Sequence, residues 1–170
     1  DNSILYKNID EWNKEKIEIE NQIEKIKTYQ NKLCENANTF YEALKLYFET
    51  LKKYYKLSDY AFRLADEDLR ISANQALNQQ ATTLGTKLNE ATSFINPEIL
   101  NANPEKIQKL FEGKKELDEF RFYVNDILRL REHTLSAREE EILASAGLIT
   151  STPSEVYGIF DNAEKPNPKV

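Results

Sequence analysis

One histidine, one cysteine and scattered carboxylates are what this chain offers for catalysis. His133 is its single imidazole and Cys34 its single thiol. A catalytic zinc needs about three protein ligands, commonly histidines with a carboxylate. The His-Glu-x-x-His signature needs two histidines four residues apart on one helix face, with the glutamate as base. The sequence has no such pair. Di-iron bundles use two Glu-x-x-His pairs, and here Leu130 stands three residues before His133. There is no Gly-x-Ser-x-Gly elbow, and the four glycines between Gly85 and Gly158 are too dispersed for a phosphate loop. A Cys34–His133 dyad would depend on folding coincidence; an ordinary half-buried thiol is the plainer reading. A lone cysteine also forms no internal disulfide and points weakly to a reducing compartment. We therefore assign no catalytic, cofactor-binding or metal-binding residue in these 170 positions and expect no cofactor in them.

Four features have two readings each. Five tyrosines and three phenylalanines lie between Phe40 and Phe62. They suit an aromatic ligand wall, but core packing with phenol oxygens at the surface is the commoner use. Asp66-Glu67-Asp68 offers three carboxylates to a cation, yet adjacent positions point different ways around a helix, which favours solvated charge. The polar stretch from Asn74 to Thr83 suits a channel lining, or a packed helix that satisfies its own amides. Arg129, Arg131, Glu132 and His133 gather near a helix C-terminus, where cations complement the dipole. A joint between two helices explains that cluster without catalysis.

The elements that must position these residues are helical. Glycine and proline together are nine residues, about 5 %, too few for the turns of a sandwich or barrel. Hydrophobic residues at 40 % can fill a core. A net charge of −6 is opposite in sign to that of a dedicated nucleic-acid binder. No apolar run approaches the ~18 residues of a membrane span. Met is absent, even at position 1, so a processed product or an excised piece is expected.

Asn8-Ile9-Asp10-Glu11 reads as a capping-box-like start. Trp12, Ile19, Ile23, Ile26 and Leu33 then form one apolar stripe. Asn36-Ala37-Asn38 marks a turn into a second helix carrying Phe40, Leu44, Tyr47, Phe48, Leu51 and Tyr55, antiparallel to the first. Leu57-Ser58-Asp59 is read as a break or kink. A long central helix is expected from there to about Phe94. Its charge-free part, Ile71 to Thr86, should pack on more than one side. Asn96-Pro97-Glu98 and Asn103-Pro104-Glu105 read as helix starts, and Gly113 as a stop. A further helix uses Leu117, Phe120, Val124, Ile127 and Leu128 and ends near His133. Ser136-Ala137-Arg138-Glu139 and Thr152-Pro153-Ser154-Glu155 read as capping boxes. The fold class is all-α: a multi-helix bundle with an N-terminal antiparallel hairpin and a long central helix.

Four segments, in order, carry a resemblance. Tyr60-Ala61-Phe62 with Asp66 and Asp68 comes first, then Ala91-Thr92-Ser93-Phe94-Ile95-Asn96-Pro97-Glu98-Ile99-Leu100. Arg131-Glu132-His133-Thr134-Leu135-Ser136, running on to Glu139-Glu140-Glu141-Ile142-Leu143, is third, and Val156-Tyr157-Gly158-Ile159-Phe160-Asp161-Asn162-Ala163 is fourth. Together they resemble the oligoendopeptidase F family over about residues 54–163; before that the likeness is one of pattern only. The resemblance implies the N-terminal helical region of a bacterial, cytoplasmic zinc metallopeptidase similar in fold to thimet oligopeptidase. Its zinc and His-Glu-x-x-His helix would lie beyond this chain. Residues 1–160 would form one helical domain (1–56 the hairpin, 57–160 the family-like helices). Residues 161–170 would be an exit segment toward the catalytic domain of the same polypeptide. The region would wall a deep cleft and limit access to oligopeptide substrates, with no nucleic-acid or membrane partner. The competing reading is a self-standing helical binding module or adaptor without enzymatic activity.

Overall fold

The computed structural model describes residues 4–67 and 71–133. Six α-helices follow one another: α1 (Ile9–Lys27), α2 (Ala37–Glu67), α3 (Ser72–Thr92), α4 (Ile95–Asn101), α5 (Pro104–Gly113) and α6 (Arg121–Arg129). Lys115–Phe120 and Leu130–His133 are 3-10 turns, and the described residues contain no strand. The chain is therefore all-α, as its periodicity predicts. It divides into two compact units, residues 1–129 and 130–170; of the second, only Leu130–His133 is described. The capping boxes at Ser136 and Thr152, the third and fourth family-like segments beyond His133, and the 161–170 exit segment lie outside the described residues.

Asparagines open three of the helices, because a short side-chain oxygen can satisfy an amide that has no helical partner. Asn8 Oδ1 accepts from the Glu11 N–H at 3.0 Å, and the Glu11 carboxylate accepts in return from Lys7 N–H. Asn36 does the same for Thr39 N–H, and Asn103 for Glu105 N–H with Pro104 in the first turn. Asn96 departs from this pattern. Helix α4 starts at Ile95, so Asn96 lies inside it and instead accepts from the Tyr123 hydroxyl at 2.8 Å, joining α4 to α6.

Cross-helix partners fix the hairpin as antiparallel. Trp12 pairs with Leu57, Glu15 with Lys56, Glu18 with Lys53 and Gln22 with Thr50, so α2 runs backward as α1 runs forward. Ile19, Ile23 and Ile26 are buried along α1, as the stripe predicts. On α2 the buried line differs from expectation. Tyr47, Phe48 and Leu51 are half-buried, Tyr55 is exposed, and burial continues through Leu57, Tyr60, Ala61 and Ala65. The helix is long enough to be covered on different sides at its two ends.

Of the break or kink expected at Leu57-Ser58-Asp59, the break is absent; α2 passes through unbroken for 31 residues. Leu57 is fully buried, and its carbonyl accepts from the Trp12 indole N–H at 3.0 Å. Ser58 turns its hydroxyl back to the Tyr55 carbonyl, which keeps it compatible with the helix. The long central helix is thus α2, and the single helix expected to run on to Phe94 is two. Acidic Asp66 and Glu67 end α2, where carboxylates face the negative end of the dipole. Asn74 and Gln75 of α3 reach back to the Leu64 and Ala65 carbonyls at 2.8 and 3.5 Å, satisfying part of that end.

Helix α3 packs on both α2 and α1, as its charge-free stretch implies. It lies antiparallel to α2 and parallel to α1, reaching Lys16 through Gln80 and Glu20 through Lys87. Gly85 makes the close approach possible: a Cβ there would collide with the Tyr54 hydroxyl and stand 2.7 Å from its Cζ. Gly85→Ala should gain about 1 kcal/mol of helix propensity and lose roughly 1–3 kcal/mol to overpacking. A net loss is expected by urea titration. In a Tyr54→Leu background the same substitution should become neutral or stabilising, because its obstacle is gone.

Past α3 the chain turns sharply into α4, which packs on α6, while α5 packs on α2. Gly113 ends α5 as expected but without a positive φ. Its missing side chain serves contact instead, since a Cβ would meet that of Ala37 at 3.3 Å. The part of the last helix expected around Leu117 is a 3-10 turn, and α6 proper begins at Arg121. One apolar core runs through all of this, from Tyr6 and Trp12 to Val124 and Ile127.

Candidate functional site

The aromatic residues of α2 meet three different fates. Phe40 and Tyr60 are core, in edge-to-face contact with Phe111 and Tyr6 respectively. Tyr41, Tyr47 and Phe48 turn toward the C-terminal helices, where Phe48 stacks on Phe120 at 5.3 Å between centroids and meets Tyr123 edge-on. Burial raises the Tyr47 and Tyr123 hydroxyls above the ordinary phenol value. Tyr54, Tyr55 and Phe62 form the third group. Core packing therefore accounts for most of the aromatics, Tyr54 included, but not for Tyr55 and Phe62.

Tyr55 and Phe62 are 61 % and 59 % exposed, seven residues apart on one face of α2. With Tyr54, Lys56, Ser58 and Asp59 of α2 and Asn78, Ala81 and Thr82 of α3, they line an open groove of about 650 Å³. Its lining combines aromatic rings with small hydroxyl and amide groups, and its one cation and one carboxylate are paired with Glu15 and Arg63 respectively. Such a lining holds a chain segment by apolar contact and hydrogen bonds. No histidine or cysteine is among the lining residues, so it holds no Ser–His or Cys–His pair; Ser58 donates to the Tyr55 carbonyl and Lys56 pairs with Glu15. The Tyr54 hydroxyl, pushed up by burial, stays protonated at neutral pH. The spacing of Tyr55 and Phe62 was the available sequence signal for this groove. It was masked because Tyr55 also fits the hairpin stripe.

The other candidates resolve structurally. From Asn74 to Thr83, side chains mostly satisfy neighbouring carbonyls: Thr82 bonds Asn78 O and Thr83 bonds Gln79 O, both at 2.9 Å. Asp66 and Glu67 are exposed at the end of α2, and Asp68 lies outside the described residues. Arg129 pairs with Asp126 at 2.7 Å in the last turn of α6. Leu130–His133 continues as a 3-10 turn. Among the described residues no group of three His, Cys, Asp or Glu side chains is placed to hold a metal.

Cys34 is half-buried beside a second hollow of about 590 Å³, between the α1–α2 loop and α4–α5. Burial, reinforced by Glu98, pushes its thiol up to about 11 from an ordinary value of 9.0. At pH 8 the folded chain then holds about a hundredfold less thiolate than the unfolded chain. Alkylation of Cys34 by iodoacetamide should be slower by at least that factor, and should accelerate on adding urea. The same shift stabilises the fold below about pH 9. That contribution is lost as pH rises from 9 toward 11, because the unfolded chain ionises first.

Sequence reasoning missed Tyr6 altogether, and missed the partners that Trp12 and Glu98 find on other elements. Tyr6, before α1, is buried, and its hydroxyl donates to the Glu15 carboxylate while Lys56 lies 4.0 Å above its ring. Trp12 reaches the α2 backbone, and Glu98 reaches the loop after α1. In each case a local pattern could place the residue on an element but could not name its partner.

Comparison with known proteins agrees with this scaffold. The Oligopeptidase F family matches residues 98–164. Oligopeptidase PepF of Bacillus subtilis is 30 % identical over 159 residues, 94 % of this chain and 24 % of that protein. The oligoendopeptidase F crystal structure from Enterococcus faecium superposes with a TM-score of 0.68 at 27 % identity, covering 96 % of this chain and 32 % of that one. A crystal structure from Chlamydophila abortus gives 0.78 at 25 % identity, covering 98 % and 28 %. The chain thus spans about a quarter of the length of the Bacillus subtilis protein. With the family match over residues 98–164, the relatives and the helical fold of the described residues in agreement, this chain is similar over nearly its whole length to an N-terminal helical region of oligoendopeptidase F.

Proposed function

We propose that this chain is the non-catalytic helical wall of a zinc metallopeptidase that hydrolyses short peptides. The observation that carries the reading is the alignment: nearly all of this chain matches about a quarter of a protein named as an oligopeptidase. The donor set of this chain does not fit zinc, since it has one histidine and one cysteine and no described cluster of three ligands. The reading therefore places the zinc ligands and the catalytic base in the remainder of the polypeptide. No catalytic role falls on any residue here. The rigid three-helix layer of α1, α2 and α3 would close one side of a cleft and admit only short, unfolded peptides. No helix among the described residues is long and apolar enough to cross a membrane, and the proposed setting is the bacterial cytoplasm.

The test compares the 170-residue chain with the full-length protein on a quenched fluorescent peptide, each with and without chelator. The expected result is chelator-sensitive cleavage by the full-length protein and none by the 170-residue chain. Turnover by the chain alone, scaling with its concentration through purification, overturns the non-catalytic assignment. A full-length protein inert toward peptides would instead favour the adaptor reading.

A further inference from the structure

We propose that the loop joining α1 to α2 is a carboxylate-binding nest, filled in cis by Glu98, and that this one side chain docks the hairpin tip onto α4. Asn31 has φ = +65°, the one non-glycine residue with positive φ among the described residues. That conformation turns alternate amides to the same side. Asn31 N–H donates to Glu98 Oε1 at 2.5 Å and Leu33 N–H donates to Glu98 Oε2 at 3.1 Å. The amide between them, that of Lys32, faces away to the Tyr29 carbonyl at 2.9 Å. Two donors two residues apart therefore grip the two oxygens of one carboxylate, from a helix more than sixty residues away in sequence.

The chemistry selects a carboxylate. The two donors need a ligand with two acceptors and no donor, which an ionised carboxyl supplies and an amide does not. Asparagine at position 31 suits the nest because it tolerates the left-handed region better than most residues. Leu33, fully buried, pins the loop so that its amides stay aimed. The hollow beside the site is lined by Lys32 and Lys106, which favour an anion, and by Glu35, which opposes one. Cys34 Sγ lies 3.9 Å from the Glu98 carbonyl and adds a weak second link. The resemblance segment over residues 91–100, through its Glu98, thereby acquires a physical role that the Asn96-Pro97-Glu98 helix-start reading does not supply.

A nest of this kind keeps its shape when its anion is removed, because Leu33 and the turn bonds hold it. An added small carboxylate should then replace the missing side chain. The experiment measures amide hydrogen exchange at Asn31 and Leu33 in the 170-residue chain, with acetate or with chloride at equal ionic strength. In Glu98→Ala, exchange at these two amides should accelerate by ~10-fold or more, while amides of the α1 core such as Ile19 keep their protection. Acetate should slow both amides again, saturably, in the variant and not in the parent chain. Glu98→Gln keeps one acceptor and should fall between; it also serves if Glu98→Ala does not fold. Unchanged exchange at Asn31 and Leu33 in either variant overturns the proposal. So does acetate having no effect in Glu98→Ala, or the same effect in the parent chain.

Discussion

Trp12→Ala is expected to lower the free energy of unfolding by about 3–5 kcal/mol. The indole has no exposed surface. It sits in the first turn of α1 and donates to the Leu57 carbonyl at 3.0 Å, about two-thirds of the way along α2. Truncation opens a cavity between the two helices and removes a donor together. Trp12→Phe separates these effects. It keeps most of the apolar contact, and the Leu57 carbonyl keeps its place in the α2 ladder, so about 1–2 kcal/mol is expected from the lost bond and residual gap. Total stability for a domain is about 5–15 kcal/mol, so Trp12→Ala should bring the urea midpoint down by a large fraction with little change in slope. Equal, small effects of both substitutions would show that the indole is not a keystone of the hairpin.

Ile23→Ala should cost about 2–4 kcal/mol, because this residue is 2 % exposed in the middle of the α1 stripe. Ile19 and Ile26 flank it and are equally enclosed, and a rigid helix cannot sag into the space left behind. Ile17, on the same helix, is 56 % exposed, so Ile17→Ala should change stability by no more than about 0.5 kcal/mol. The contrast between two isoleucines six residues apart tests which face of α1 is buried. Thermal or urea unfolding of both variants reads it directly. Similar losses would mean that Ile17 is also covered in solution, as by a second copy or by the remainder of the polypeptide.

The α1 stripe was legible because it is local. Trp12, Ile19, Ile23 and Ile26 return to one face at helical period, with Lys and Glu between them, and all four are buried. The caps at Asn8 and Asn103 were legible for the same reason, since each bonds an amide two or three residues away; Asn36, read only as part of a turn, caps α2 in the same way. Asn96 shows the limit. It has the same Asn-Pro-Glu context as Asn103, yet α4 begins two residues earlier than that context implies, at Ile95, and its side chain serves Tyr123 instead. Leu57-Ser58-Asp59 shows it again: intrinsic propensity suggested a break, but packing against Trp12 carried the helix through.

The candidate groove was only partly legible. Tyr54, Tyr55, Phe62 and the polar residues of α3 stood out by composition. Their convergence depends on α3 lying antiparallel on α2 at the close distance that Gly85 allows. The aromatic residues looked like one group because they share a stretch of chain. Five or six turns of helix spread them over different neighbours, so some became core, some met α6 and some stayed open.

From its residues alone, the sequence determined that this protein is helical and which face of α1 is buried. It also showed that no His-Glu-x-x-His pair or phosphate loop lies within these 170 positions. Those properties follow from period, capping and the inventory of side chains, which act within a few residues of one another. Tertiary structure decided that α2 would run unbroken to Glu67 and that Trp12 would hold it there. It decided that Glu98 would grip Asn31 and Leu33, and that Tyr55 and Phe62 would face a groove. These contacts join residues from seven to nearly seventy positions apart. Their free energy exists only once the helices have docked, and no local pattern encodes the docking angle or the partner.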